Sequence, residues 1–111
     1  MLTVVPTPIG NLGDFTPRAM ESIAASDFVL AEDTRTTGSL LRLKGVEARL
    51  RPFHAHNEHK VLEDVVAALL AGAHACLCSD AVTPGISDPL FLLVRACIEA
   101  GVEVICLPGA T

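Results

Sequence analysis

Two periods of apolar spacing alternate along this chain. Short segments rich in apolar residues, Leu2 to Val5, Phe28 to Ala31, Arg49 to Phe53, Ala75 to Ser79 and Glu103 to Leu107, have the length of strands. The run from Ala73 to Leu77 is apolar throughout except for His74, the pattern of a parallel strand covered on both faces. Between these segments the period changes to that of a helix. Thr16-Pro17 opens a helix through about Ala25, with Phe15 and Met20 placed to staple its start. A second helix is predicted from Thr36 to Lys44, ended by Gly45. In the third, Leu62, Val65, Val66, Leu69 and Leu70 form one stripe behind Asn57 as cap, and Gly72 closes it. In the fourth, Asp88-Pro89 supplies an N-cap and a first-turn proline ahead of Leu90, Leu93, Val94, Cys97 and Ile98, and Gly101 ends it. Strands alternating with helices predict an α/β fold, a three-layer α/β/α sandwich on a five-stranded parallel sheet.

Length restricts this pattern to one unit, because 111 residues, 50% of them hydrophobic, build a single core. The apolar runs fall short of the roughly 20 residues needed to cross a bilayer, and no basic stretch precedes the first of them. A cytoplasmic protein with no membrane partner is expected. The four cysteines suit that compartment. Cys76 and Cys78 alternate on a strand and Cys97 and Cys106 fall on apolar faces, so all four are expected as buried thiols; Cys-x-Cys without a second pair lacks zinc-site spacing, and no metal site is expected.

The net charge of −5 excludes a generally basic nucleic-acid binder. The distribution is uneven, however. Of the eight basic residues, Arg35, Arg42, Lys44, Arg49 and Arg51 lie in one short segment whose only acid is Glu47. Such a run is either a solvated face or a local phosphate-contacting patch.

Chemistry concentrates where strands end. The stretch from Cys78 to Pro89, with Asp80 and Asp88 bracketing a Thr83-Pro84-Gly85 corner, leaves the carboxyl end of a strand, where open α/β sheets place their ligands. The first strand runs into Pro6-Thr7-Pro8-Ile9-Gly10-Asn11, a loop that differs from the Gly-x-Gly-x-x-Gly dinucleotide fingerprint. After the second strand come Glu32-Asp33-Thr34-Arg35. Asp33 or Thr34 can cap the next helix, whereas Glu32, directly behind an apolar run, is expected to need a partner or a ligand; Arg35 is the candidate partner, with a phosphate contact as its equal alternative. His54, His56 and His59 follow the third strand with no Cys or paired carboxylate to complete a metal site.

The Cys78 to Pro89 string resembles the Ser-Asp-Ala-Gly-Thr-Pro-x-Ile-Ser-Asp-Pro-Gly signature of the 16S rRNA (cytidine-2′-O)-methyltransferases, a branch of the tetrapyrrole methylase superfamily. Further matches are Val5 to Asp14, Ala31-Glu32-Asp33-Thr34-Arg35, Phe53-His54-Ala55-His56-Asn57-Glu58 and Leu107-Pro108-Gly109-Ala110-Thr111, so the resemblance spans essentially the whole chain. Val82 and Leu90 stand where the signature has glycines, positions that commonly need positive φ or close approach to a ligand.

The resemblance implies an S-adenosylmethionine-dependent methyltransferase acting on a ribose 2′-hydroxyl of 16S rRNA in the small ribosomal subunit. It implies cofactor contacts at Pro8, Ile9, Gly10, Asp80, Thr83, Pro84, Ile86 and Thr111. A carboxylate at Asp80 suits a cofactor carrying a sulfonium and an ammonium. Methyl transfer also needs a group to take the hydroxyl proton, for which Glu32, Asp33, His54 and His56 are the candidates. Arg35, Arg42, Lys44 and Arg49 are the candidates for RNA phosphates. By the same resemblance residues 1–111 form the amino-terminal domain of a two-domain enzyme whose own carboxyl-terminal domain closes the cleft. The oligomeric state stays open, a homodimer included. Two alternatives remain beside this reading: a corrin or porphyrin methyltransferase of the same superfamily, and a non-catalytic nucleotide-binding module, motivated by Val82 and Leu90.

Overall fold

The computed structural model describes residues 1–7, 16–53, 58–80 and 89–107, with only the main chain described at Thr7, Glu58, His59, Ser79, Asp80, Pro89 and Leu90. In chain order the elements are β1 (Leu2–Thr7), α1 (Pro17–Ala25), β2 (Phe28–Ala31), α2 (Thr34–Leu43), β3 (Leu50–Pro52), α3 (Glu58–Leu70), β4 (Ala75–Asp80), α4 (Pro89–Glu99) and β5 (Val104–Cys106). The strands form one parallel sheet in the order β3-β2-β4-β1-β5. This is the α/β/α sandwich that the alternation predicts.

Both faces of the sheet are buried, which is why the strands read as apolar runs. On one face Leu2, Phe28, Leu30, Ala75 and Leu77 pack against Val65 and Leu69 of α3 and Leu93 and Cys97 of α4. On the other, Val5, Val29, Ala31, Cys76 and Cys78 pack against Ala19 and Ile23 of α1 and Leu40 and Leu41 of α2. Fully burying a side chain of Leu size contributes roughly 1.5–3 kcal/mol, so these two layers carry most of the driving force. The division of helices follows from the strand order. Steps from β1 to β2 and β2 to β3 run one way along the sheet, and steps from β3 to β4 and β4 to β5 run the other. With right-handed crossovers, opposite directions put the helices on opposite faces.

Three helices end in the same device. Past α2, the N–H of Gly45 donates to Arg42 O and that of Val46 to Leu41 O; past α3, Gly72 and Ala73 donate to Leu69 O and Ala68 O; past α4, Gly101 and Val102 donate to Ile98 O and Cys97 O. These paired bonds are Schellman caps, and they require a left-handed residue that Gly supplies at φ 72°, 104° and 83°. The starts of α1 and α2 are capped by side chains. Thr16 Oγ1 accepts from Ala19 N at 3.1 Å, with Pro17 at the first helical position.

Several sequence expectations change. The second helix starts at Thr34 rather than Thr36, because the Asp33 carboxylate accepts the N–H groups of Arg35 and Thr36 and so caps two residues earlier. Leu70 and Ile98, expected within buried stripes, are 60% and 62% exposed. Each lies one residue past a buried one, Leu69 or Cys97, hence about 100° around the helix from it. Cys106 is exposed, unlike the other three thiols, since it is the last residue of an edge strand. His74 precedes β4 instead of lying in it; its Nε2 is 3.0 Å from Thr3 Oγ1. Phe15, Asn57 and Asp88, expected at helix starts, lie outside the described residues.

Candidate functional site

All five strands point the same way, so Thr7, Ala31, Pro52, Asp80 and Cys106 end on one edge of the sheet. The two central strands reach farthest. Val5, Cys78 and Ala31 are level across β1, β4 and β2, and β1 and β4 continue as the pairs Pro6–Ser79 and Thr7–Asp80. That extension is about 7 Å at the strand rise. The chain leaves β1 toward α1 on one face and leaves β4 toward α4 on the other. Adjacent strands whose connections diverge in this way create the crevice in which open α/β sheets bind ligands. Asp80 is therefore at the mouth of the switch point, and the segments containing Pro8, Ile9, Gly10 and Thr83, Pro84, Ile86 begin there. Those six residues, with Thr111, His54, His56 and Val82, lie outside the described residues.

The second signature glycine position is explained. Leu90 is in α4, and among the described residues no non-glycine has positive φ. Leu there is a better helix former than Gly by about 1 kcal/mol, and no left-handed conformation is needed.

Beside the crevice, β2 delivers Glu32 and Asp33 to the same edge. Asp33 is committed to the helix: Oδ1 accepts from Arg35 N at 3.0 Å and Thr36 N at 3.3 Å, and Oδ2 accepts from Thr36 Oγ1 at 3.0 Å. The Thr36 hydroxyl first, then the main-chain N–H groups of Thr36 and Arg35, hold this carboxyl below its ordinary value. Glu32 is exposed, not buried behind the strand as its apolar neighbours suggested, so its charge needs no protein partner. Of the two readings of Arg35, the ion pair with Glu32 is not formed; among the described residues the ion pair present joins Arg95 and Glu99 at 3.1 Å. One strand over, the N–H of Phe53 donates to Ala31 O at 2.9 Å, so the chain enters residues 54–57 directly beside Glu32. Two sets of proton-accepting candidates thus issue from neighbouring strand ends.

The basic segment is dispersed by the fold. Arg35 is in the first turn of α2, at the carboxyl edge. Arg42, seven residues further on, is about 10 Å away along the helix axis. Arg51 lies over the ring of Phe28 at 5.1 Å, in a cation–π contact. Arg42 and Arg49 converge instead on a cavity of about 750 Å³ at the amino edge, lined also by Ser26, Asp27, Gly38, Leu41 and Val46. Sequence reasoning missed this cavity. Its available signal was Gly38 in the middle of an otherwise helical pattern, where an added Cβ would stand 3.1 Å from Leu50 Cδ1. Burial pushes the Cys76 thiol up to about 11, and its Sγ–H donates to Ser22 O, which disfavours the thiolate there. No helix among the described residues is long and apolar enough to cross a membrane.

Comparison with known proteins adds the following. The sequence profile described as Tetrapyrrole (Corrin/Porphyrin) Methylases matches residues 1–111. Proteins named ribosomal RNA small subunit methyltransferase I are similar over nearly the whole chain. That of Escherichia coli is 53% identical over 97% of this chain and 38% of its own length. That of Synechocystis sp. is 51% identical over 100% and 40%, and that of Vibrio cholerae 48% over 98% and 38%. The chain thus spans about two fifths of the length of the curated relatives it matches. A crystal structure of diphthine synthase shares the fold with a TM-score of 0.72 at 14% identity, covering 99% of this chain and 44% of that one.

Proposed function

Because the chain belongs to the tetrapyrrole (corrin/porphyrin) methylase family, we propose that its carboxyl edge forms one wall of the S-adenosylmethionine site of an rRNA (cytidine-2′-O)-methyltransferase acting on 16S rRNA of the small ribosomal subunit. The observation that carries this reading is the divergence of the chain at the register pair Thr7–Asp80, which opens the sheet where both cofactor segments begin. A carboxyl-terminal domain belonging to the remaining length of the relatives is the proposed opposite wall. A tetrapyrrole substrate has less support, since the similar proteins are named for rRNA.

The bound cofactor would supply an electrophilic methyl group on a sulfonium. The chain's own residues do the rest. Asp80 offers a carboxylate to the cationic groups of the ligand, and the segments of Pro8, Ile9, Gly10 and Thr83, Pro84, Ile86, with Thr111, shape its walls. The attacking ribose hydroxyl must be held in line and relieved of its proton. Glu32, exposed and unengaged among the described residues, suits that role better than Asp33, whose lone pairs serve the helix start. His54 and His56 remain candidate bases of the same kind. Arg35, in the first turn of α2, suits a phosphate of the substrate strand.

Calorimetry with S-adenosylmethionine tests the reading. Binding is expected to be weak in this chain and tighter in a protein of the relatives' full length. The substitution Asp80→Asn is expected to weaken binding about tenfold, the loss of one charge-assisted hydrogen bond, with thermal stability unaltered. A stability loss with unchanged affinity would make Asp80 a loop anchor and remove it from the site.

A further inference from the structure

The cavity at the amino edge is not used by the methyl-transfer reading. It lies beyond the far end of β2, whose four residues span about 13 Å. Its walls come from the turn between α1 and β2, from α2 and its cap, and from the lead into β3. Leu41, Val46, Ala48 and Leu50 give it an apolar floor, and Arg42 and Arg49 are exposed at its rim. Neither guanidinium is in an ion pair among the described residues. Two carboxylates also line it, Asp27 and Glu47. Asp27 is already engaged, its Oδ2 accepting the main-chain N–H of His74 at 2.8 Å. Of the carbonyls ending α2, Arg42 O and Leu41 O accept the Gly45 and Val46 N–H groups, so the attraction for an anion here has to come from the two guanidinium groups.

An apolar floor with two exposed guanidinium groups at the rim, neither ion-paired among the described residues, matches a flat ring attached to a phosphate. A cavity of about 750 Å³ is within the range of small-ligand sites. Arg is the side chain that forks onto phosphate and stacks on rings, and single-stranded RNA is typically read by lodging unstacked bases in such places. We infer that this cavity docks one nucleotide of the substrate RNA, remote from the edge where methyl transfer takes place. The inference rests on the rRNA reading and adds a second contact point to it. Two points on opposite edges of the sheet would fix the direction of the strand across the domain.

The test uses this chain with a fluorescein-labelled oligocytidylate, titrated by fluorescence anisotropy across a salt series. Arg42→Gln and Arg49→Gln are each expected to weaken binding several-fold and to lower the salt slope by about 0.7, the value for one phosphate contact on a single strand. Ala48→Met, which fills the floor and leaves the charge alone, is expected to weaken binding as well. Arg95→Gln removes the same charge elsewhere and is expected to leave binding unchanged. Circular dichroism on each variant confirms that the fold is retained. If the Gln variants weaken binding and Ala48→Met does not, the cations act as a surface and the cavity proposal is wrong. If free cytidine monophosphate binds in a manner dependent on Arg42 and Arg49 while oligocytidylate binding ignores both, the site serves a free nucleotide and the RNA assignment is overturned. Wild-type binding unaffected by every variant, or no wild-type binding at all, would reject the cavity as a nucleotide site and leave the rRNA reading to the calorimetric test.

Discussion

Asp27 and His74 grip each other at both ends: the N–H of Asp27 donates to His74 O at 2.7 Å, and the N–H of His74 donates back to Asp27 Oδ2 at 2.8 Å. The pair ties the start of β2 to the start of β4, 47 residues away in sequence. Asp27→Ala leaves the His74 N–H without its acceptor. A loss of about 1 kcal/mol is expected, typical of one hydrogen bond near the surface. Asp27→Asn retains an acceptor oxygen and should recover most of it. Urea denaturation midpoints of the three proteins check this; equal midpoints would show that water replaces the carboxylate without loss.

Gly45, Gly72 and Gly101 each hold positive φ, and an added Cβ at any of them would meet nothing within 4 Å. The penalty for Ala there is consequently backbone strain alone, about 1 kcal/mol per site. The three sites lie at separate helix ends, so the triple variant should lose close to the sum. Asn, which tolerates the left-handed region, should lose less at each position. Thermal melts of single and triple variants measure both expectations.

Asp33 makes stability depend on acid. Its carboxyl is held below the ordinary value by the Thr36 hydroxyl and by the N–H groups of Thr36 and Arg35, so the folded state favours the ionised form. The resulting stabilisation is present above the unfolded-state pKa, near 4, and is lost as pH falls through the lower folded-state value. Asp33→Asn should therefore be less stable than wild type at neutral pH. The gap should narrow as pH drops below about 4. A gap that stays constant in urea titrations across that range would assign the difference to packing instead of charge.

Thiol chemistry should separate the cysteines. Cys106 is exposed, whereas Cys76, Cys78 and Cys97 are buried, and burial raises both Cys76 and Cys97. The thiolate is the reacting form. Ellman's reagent at neutral pH should consume one thiol quickly and the other three only on unfolding, and Cys106→Ser should abolish the fast phase. A fast phase that survives this change would mean that one of the sheet's buried faces opens readily.

Much of the architecture is written locally. Strand and helix positions follow from apolar spacing and from Gly45, Gly72 and Gly101, because a Schellman end needs a left-handed residue wherever the rest of the chain goes. The unbroken apolar runs at Phe28 to Ala31 and Ala75 to Cys78 already imply a sheet buried on both faces. The motifs around Asp80 and Glu32 are equally legible, since strand ends in an α/β alternation are where ligands bind.

What spacing along the chain cannot contain is which ends become neighbours. The order β3-β2-β4-β1-β5 alone sets Asp80 beside Thr7 and brings Phe53 to Ala31. It also splits the run of cations, leaving Arg35 at one edge, sending Arg42 and Arg49 to a shared cavity at the other, and laying Arg51 over Phe28 on the opposite face. Exposure was decided there too. Leu70, Ile98 and Cys106 carry the same apolar signal as their buried neighbours, yet Leu70 and Ile98 face about 100° away from Leu69 and Cys97 on their helices and Cys106 ends an edge strand. Local propensity and periodicity act over a few residues, and so specify elements; proximity between distant residues exists only once a topology has been chosen.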